Sequence, residues 1–290
     1  MTALASPPAL NRRPTRERAP GETRSGIFNH GLPVGAFLLF TLVPFYWMIV
    51  FAFRQTGSTL PLPVPFTFDH LKTVWTDLGF STYLWNSVAV ALCTLLFTVV
   101  LALLTGYALA RFEFRGKSPF MVVLLATQFV PGAMLLIPLF LIFKQLGLID
   151  NLFALIISDT VFQLPLCAIL MSNFLKNIPI ELEEAAMIDG CSRFRAFCAV
   201  VLPLLRPAIV AVGSFAFIGA WNNFLFALMF INHNDRFTLP IGLNSAIGEY
   251  SADYGALAAG GVVAAVPVVI VFAFMQRFLV QGVSAGAVKG

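Results

Sequence analysis

Glu184-Ala185-Ala186-Met187-Ile188-Asp189-Gly190 lies in a polar stretch between two long apolar runs, and nine residues separate Gly190 from Val200-Val201-Leu202-Pro203. Pro179 suits the first position of a helix, where its missing N–H is not needed. Glu181, Glu183 and Glu184 follow and complement the positive end of the helix dipole. Ala185 to Ile188 continue with good helix formers, and Gly190 fits the left-handed residue that ends a helix. Ser192 then caps a second helix beginning Arg193-Phe194. The stretch therefore predicts a helix–turn–helix near a membrane surface, ending where Pro203 enters the next apolar run. Leu182, Ala185, Ala186 and Ile188, with Met187 beside them, form a small apolar face. Such a face fits a groove on a partner protein or packs on the chain's own loops; the residues alone leave both open.

Outward from this loop the chain is apolar. It has 290 residues, 59% hydrophobic and 11% charged, where a soluble domain is about 45–50% apolar and about 25% charged. The excess is gathered in runs. A bilayer-crossing helix needs roughly 20 apolar residues, and six runs reach that length: 32–53, 88–110, 119–143, 152–174, 202–231 and 257–279. The expected fold is an all-α integral membrane protein of six transmembrane helices spanning 32–290, preceded by a basic arm at 1–31. Cytoplasmic termini put Arg12, Arg13, Arg16, Arg18, Arg24, Arg111, Arg115, Lys117, Lys176, Arg193, Arg195, Arg206, Arg277 and Lys289 inside, and only Arg54, Lys72, Lys144 and Arg236 outside. The positive-inside rule selects that orientation, and with it a cytoplasmic loop at 177–203 and a cytoplasmic tail at 280–290. The arm, rich in arginine and proline, cannot bury much apolar surface and is expected to be disordered. No aromatic residue interleaves with its arginines, which argues against nucleic acid. The first apolar run is long and starts late for a signal peptide, so it reads as an uncleaved anchor.

The remaining chemistry is sparse. Cys93, Cys167, Cys191 and Cys198 form no Cys-x-x-Cys pair, and His30, His70 and His233 are scattered; no metal site is indicated. Gly116-Lys117-Ser118 supplies only the tail of a phosphate-binding loop, because Arg111 stands where that motif needs glycine. No catalytic constellation or cofactor site is found, and the chain does not read as an enzyme. Every run except the second contains proline, at Pro44, Pro131, Pro138, Pro165, Pro207 or Pro267. Kinked helices suit a protein that opens and closes, and membrane helices also tolerate proline as such.

Ionisable groups inside a membrane are costly and face cavities or partners. Asp159 lies seven residues into the fourth run, roughly 10 Å deep at 1.5 Å per residue. Gln163 accompanies it, Gln128 lies in the third run, and Trp221, Asn222 and Asn223 lie in the fifth. These groups are candidates for a polar pathway for a hydroxyl-bearing solute, with interhelical hydrogen bonding as the competing reading. No basic residue lies deep in any run, which favours a neutral solute over a phosphate ester.

The spacing Glu-Ala-Ala, three residues, Gly, nine residues, an aliphatic, one residue, Leu-Pro resembles the coupling loop of ABC importer permeases, with Val200 for the usual isoleucine. Leu146-Gly147-Leu148-Ile149, Asn177-Ile178-Pro179, Ala220-Trp221-Asn222 and the ending Gly286-Ala287-Val288-Lys289-Gly290 also look like carbohydrate importers of the maltose and glycerol-3-phosphate type. The resemblance covers 32–290 and implies a type I importer permease fold in a bacterial inner membrane. It implies three partners: a second homologous permease, a homodimeric ATPase carrying ATP and magnesium, and an extracytoplasmic sugar-binding protein. Carried over, Glu184 makes polar contacts with the ATPase, Ala185 and Ala186 allow close packing, and Gly190 forms the turn. Asp189 and Pro203 belong to the same loop, and Lys289 and Gly290 reach toward the ATPase dimer. Glycerol phosphate esters, amino sugars or osmolytes are alternative solutes. An ion- or proton-coupled secondary transporter using Asp159 is the rival of another class.

Overall fold

The computed structural model describes residues 31–246 and 253–287, with 277 and 279–287 described by backbone alone. Residues 1–30, and the tail candidates Lys289 and Gly290, lie outside the described residues. The chain divides into two compact units, Met1–Trp47 and Met48–Gly290. The boundary falls inside the first helix, α1, Leu32–Phe53, which carries Pro44.

The other principal helices are α2 (Phe80–Arg111), α3 (Lys117–Thr127), α4 (Leu136–Gln145), α5 (Leu152–Lys176), α6 (Glu181–Ile188), α7 (Arg193–Ala196), α8 (Arg206–Trp221), α9 (Leu225–Phe230), α10 (Leu239–Ser245) and α11 (Tyr254–Ala287). No strand occurs among the described residues; one isolated antiparallel bridge joins Arg54 and Phe66. Among the described residues four helices, α1, α2, α5 and α11, are long and apolar enough to cross a bilayer, and two bent pairs raise the number to six if each is one span.

The third apolar run is not the continuous helix that its composition predicts. Lys117–Thr127 and Gly132–Gln145 meet at 90°. Pro131 has no N–H to continue the first ladder, and its backbone is extended at ψ 124°. The fifth run is also interrupted. Arg193–Leu204 and Arg206–Trp221 meet at 75°, and the helix opens again after Trp221, so Asn222 and Asn223 stand in a break before α9. Pro207 sits in the first turn of α8, where a missing N–H costs nothing. Toward the chain end, α11 runs to Ala287 and so includes 280–287.

Helix α2 is the spine of the second unit. Its 32 residues contain no proline. Its buried stripe reads Ser87, Ala91, Thr94, Thr98, Ala102, Gly106 and Leu109, steps of three and four that keep one face of a helix. These are mostly small residues, which let helices approach closely in a membrane. A Cβ added at Gly106 would lie 3.0 Å from Met171 Cβ and from the Ser172 backbone nitrogen, so α2 and α5 nearly touch backbone to backbone there. Val99 and Ala102 of α2 join Cys167, Met171 and Leu175 of α5, and Ala208 and Val212 of α8, in one buried cluster.

Both ends of α2 are tied by polar contacts. Near its start, the Asn86 amide donates to the carbonyls of Asp235 (3.0 Å) and Phe237 (2.9 Å), and the Ser87 hydroxyl accepts from Leu239 N at 2.8 Å. The adjoining 231–239 segment is held by Asp150, which accepts from the backbone N–H groups of Asn232 (3.0 Å) and His233 (3.1 Å) and pairs with the His233 ring. Arg236 donates to the Asp150 carbonyl. Partial burial raises the Asp150 pKa, but the donors from Asn232 and His233 outweigh it and hold the carboxyl below its ordinary value.

Candidate functional site

The helix–turn–helix forms as its residues dictate. Three glutamates stand in the first turn of α6. Pro179 precedes the helix by two residues rather than opening it, with its carbonyl accepting from Leu182 N at 3.4 Å. At the other end, Gly190 adopts φ 90°, its N–H donates to Met187 O (3.0 Å), and Cys191 N donates to Ala186 O (3.0 Å). This paired closure, six-to-one around five-to-two, satisfies carbonyls that would otherwise be orphaned at the helix end. The Ser192 hydroxyl accepts from Arg195 N at 3.3 Å and caps α7. Pro203 is exposed in the short turn just before the 75° bend.

Burial sorts the faces of α6. Glu184, Ala185, Ile188 and Asp189 are exposed, Ala186 and Met187 are half-buried, and Glu183 is buried. Ile188 is 86% exposed and Phe194, just beyond the turn, 77%. Two large apolar side chains thus stand out beside a rigid turn, a patch that burial against another surface would stabilise.

Glu183 is the residue that sequence reasoning missed. It reads as one of three interchangeable dipole-complementing acids. In the structure it points into the protein, where Arg111 Nε reaches its Oε1 at 2.5 Å and the Tyr107 hydroxyl donates to its Oε2 at 2.8 Å. Arg111 also donates from Nη2 to Ile178 O at 3.0 Å. The Arg111 and Glu183 side chains are only 7% and 6% exposed. Removing one partner of such a buried pair leaves the other charge uncompensated, at about 3–5 kcal/mol. A signal was present: Glu183, Ala186 and Met187 share one face at i, i+3, i+4, so a charge on that inward stripe requires a partner.

The second candidate region is an open cavity of about 430 Å³ lined by Asp159, Gln163, Gly219, Asn222 and Asn223 and by the rings of Phe162, Phe224 and Phe226. The break after α8 makes it, because it brings Asn222 and Asn223 opposite α5. Asn223 donates from its amide to Asp159 Oδ1, and its own Oδ1 accepts from Phe226 N at 3.2 Å. Asp159 is 4% exposed. Its Oδ2 and the Gln163 Oε1 are buried and have no hydrogen-bond partner among the described residues. Two acceptor oxygens therefore stand ready for donors, beside aromatic surface. Four of the six pathway candidates thus meet at one cavity. The other two do not line it. Gln128 is exposed and donates to Phe162 O at 3.4 Å, and Trp221 is buried and stacked on Phe217 with ring centroids 5.6 Å apart. Phe162 and Phe226 carried no signal in sequence, being two of thirty phenylalanines. Among the described residues no group of three or more His, Cys, Asp or Glu side chains could hold a metal.

Comparison with known proteins places this geometry. Residues 98–285 match the family described as binding-protein-dependent transport system inner membrane component. A diacetylchitobiose uptake system permease protein of Streptomyces coelicolor is 36% identical over 252 residues, 85% of this chain and 91% of that one. An arabinooligosaccharides transport system permease protein of Halalkalibacterium halodurans is 34% identical, covering 92% of this chain and 98% of that one. The crystal structure of a bacterial ABC transporter involved in the import of the acidic polysaccharide alginate contains a chain that matches 89% of this one and 99% of its own length, with a TM-score of 0.78 at 25% identity. The helices, the loop and these likenesses agree, and the chain belongs to the binding-protein-dependent inner-membrane permeases of carbohydrate ABC transporters.

Proposed function

We propose that this chain forms half of the translocation pathway of an ATP-driven sugar importer, with six spans, both termini in the cytoplasm, and α6 with its turn docked on a separate ATPase that carries ATP and magnesium. A second homologous permease completes the pathway, and an extracytoplasmic binding protein delivers the sugar. Glu184, Ala185, Ala186, Asp189, Gly190 and Pro203 lie in the docking loop. The observation that carries this reading is the projection of Ile188 and Phe194 from a turn locked by Gly190, in the loop that the family resemblance assigns to ATPase contact. ATP-driven closure of the ATPase moves the loop, and the bent helices pass the sugar inward by alternating access.

The cavity at Asp159, Gln163, Asn222 and Asn223 is the proposed contact for the sugar. Its unpaired acceptors suit hydroxyl or amino hydrogens and its rings suit an apolar sugar face, while among the described residues no cationic side chain lines it. A neutral or amino sugar fits these acceptors better than an acidic one, because an ionised carboxylate brings further acceptors and no donor to them.

Purification of the chain from native membranes in mild detergent, with co-eluting proteins identified by mass spectrometry, tests the assembly. Recovery of an ATPase and a second permease is expected. Recovery of the chain alone, with uptake that survives ATP depletion and collapses with an uncoupler, would refute it in favour of ion-coupled transport through Asp159.

A further inference from the structure

We propose that the Glu183 carboxylate, gripped by Arg111 and Tyr107, is the joint through which displacement of α6 passes to the long helix α2. The proposal rests on the reading that α6 docks on an ATPase.

Covalent connections lead from α6 to α5 on one side, through residues 177–180, and to α8 on the other, through α7 and the 75° bend. Neither leads to α2, whose last residue precedes Glu183 by 72 positions. Yet α2 is the spine on which α5 and α8 pack. The polar grip of α6 on α2 consists of three hydrogen bonds: Arg111 and Tyr107 to the two Glu183 oxygens, and Arg111 to Ile178 O. They fix two points, one before α6 and one inside it. The guanidinium is a planar fork whose donors keep a set angle, so α6 cannot pivot about one bond while the other holds. Apolar contact at the same place, such as Tyr107 against Phe197 with ring centroids 5.0 Å apart, lets surfaces slide. The hydrogen-bonded ion pair is directional and does not. Glu183 also faces away from Glu184 and Ile188, so the residues that grip α2 are separate from those exposed for a partner.

The test uses the complete complex in liposomes, with ATP hydrolysis and sugar uptake measured together. In Glu183→Gln the ATPase is expected to be recovered with the permeases as in the wild type. ATP hydrolysed per sugar moved should rise about tenfold, the factor that accompanies loss of one charge-assisted hydrogen bond. Arg111→Lys keeps the charge but not the fork, and should fall between the wild type and Glu183→Gln. Tyr107→Phe removes one charge-assisted bond and no charge, and should also raise the ratio about tenfold; it decides the matter if Glu183→Gln does not accumulate. An unchanged ratio in the accumulating variants would overturn the proposal. Loss of the ATPase from the Glu183→Gln complex would overturn it too, because the pair would then serve docking. If the wild-type complex itself holds no ATPase, the docking reading fails and the joint fails with it.

Discussion

Replacing Gly190 by asparagine, alanine and valine in turn isolates the backbone contribution of the turn after α6. A Cβ at this position meets no atom within 4 Å, so no collision enters the comparison. What remains is φ 90°, where an L-residue with a side chain is disfavoured by roughly 1–2 kcal/mol. For alanine that corresponds to a shift of about 5–30-fold between the closed turn and its alternatives. Asparagine visits left-handed conformations more readily and should lose less. A β-branched residue is a true outlier there, so valine should lose more than alanine. The hydrogen bonds from Gly190 N and Cys191 N are made only in the closed turn, so the apolar pair Ile188 and Phe194 loses its fixed presentation in the same proportion. The assay is titration of the purified ATPase against each detergent-solubilised variant. Affinity should fall in the order Gly, Asn, Ala, Val, with alanine about 5–30-fold weaker and membrane insertion equal in all four. Wild-type affinity in the valine variant, or asparagine as poor as valine, would refute the argument that the left-handed turn presents the docking surface.

Three further outcomes follow from the packing and charge. A Cβ at Gly219 would stand 2.5 Å from Gln163 Oε1, so Gly219→Ala should displace that amide in the cavity and weaken uptake without loss of complex recovery, and Gln163→Ala should weaken uptake in the same way. Gly106→Ala gains about 1 kcal/mol of helix propensity but forces contacts of 3.0 Å, one of them on a backbone nitrogen that no rotamer change can move; overpacking of about 1–3 kcal/mol should win, and the detergent melting temperature should fall, whereas Gly35→Ala, whose added Cβ meets no atom within 4 Å, should not lower it. The depressed Asp150 carboxyl binds the Asn232 and His233 donors more strongly when charged, so that contribution is complete above the ordinary carboxylate value of about 3.9 and is lost as pH falls through its lower folded value; protease nicking of 231–239 should therefore rise only in that acidic window, and Asp150→Asn should raise nicking at neutral pH.

The legibility of this chain follows from the range of the forces involved. Helices α1, α2, α5 and α11 were readable because each is a single apolar run whose length answers to bilayer thickness. The helix–turn–helix was readable because its determinants are local: glutamates in the first turn, Gly190 at the stop and Ser192 at the next cap. The breaks at 128–131 and 222–224 were not readable as breaks, because hydropathy averages over them while backbone geometry does not. Pro131 reads in sequence as a kink, and the chain turns by 90° there. In sequence, Asp159 and Asn223 stand out separately, through the cost of polar groups in lipid. That they bond across 64 positions depends on the break after Trp221, which only tertiary packing reveals. Glu183 was hidden for a similar reason: three acids in one turn look alike until burial separates them.

The absence of proline from α2 has a mechanical consequence. At 1.5 Å per residue its 32 residues form a rod about 48 Å long, whereas α1, α5 and α11 each contain a proline at which strain can be taken up by bending. One end of the rod is pinned to 235–239 through Asn86 and Ser87, the other to α6 through Arg111 and Tyr107. A rod fastened at both ends delivers a tilt undiminished over its length. Two surfaces at opposite ends of α2 are therefore not independent: whatever immobilises 235–239 also stiffens α6, and a ligand that holds either end spends part of its binding free energy on the other.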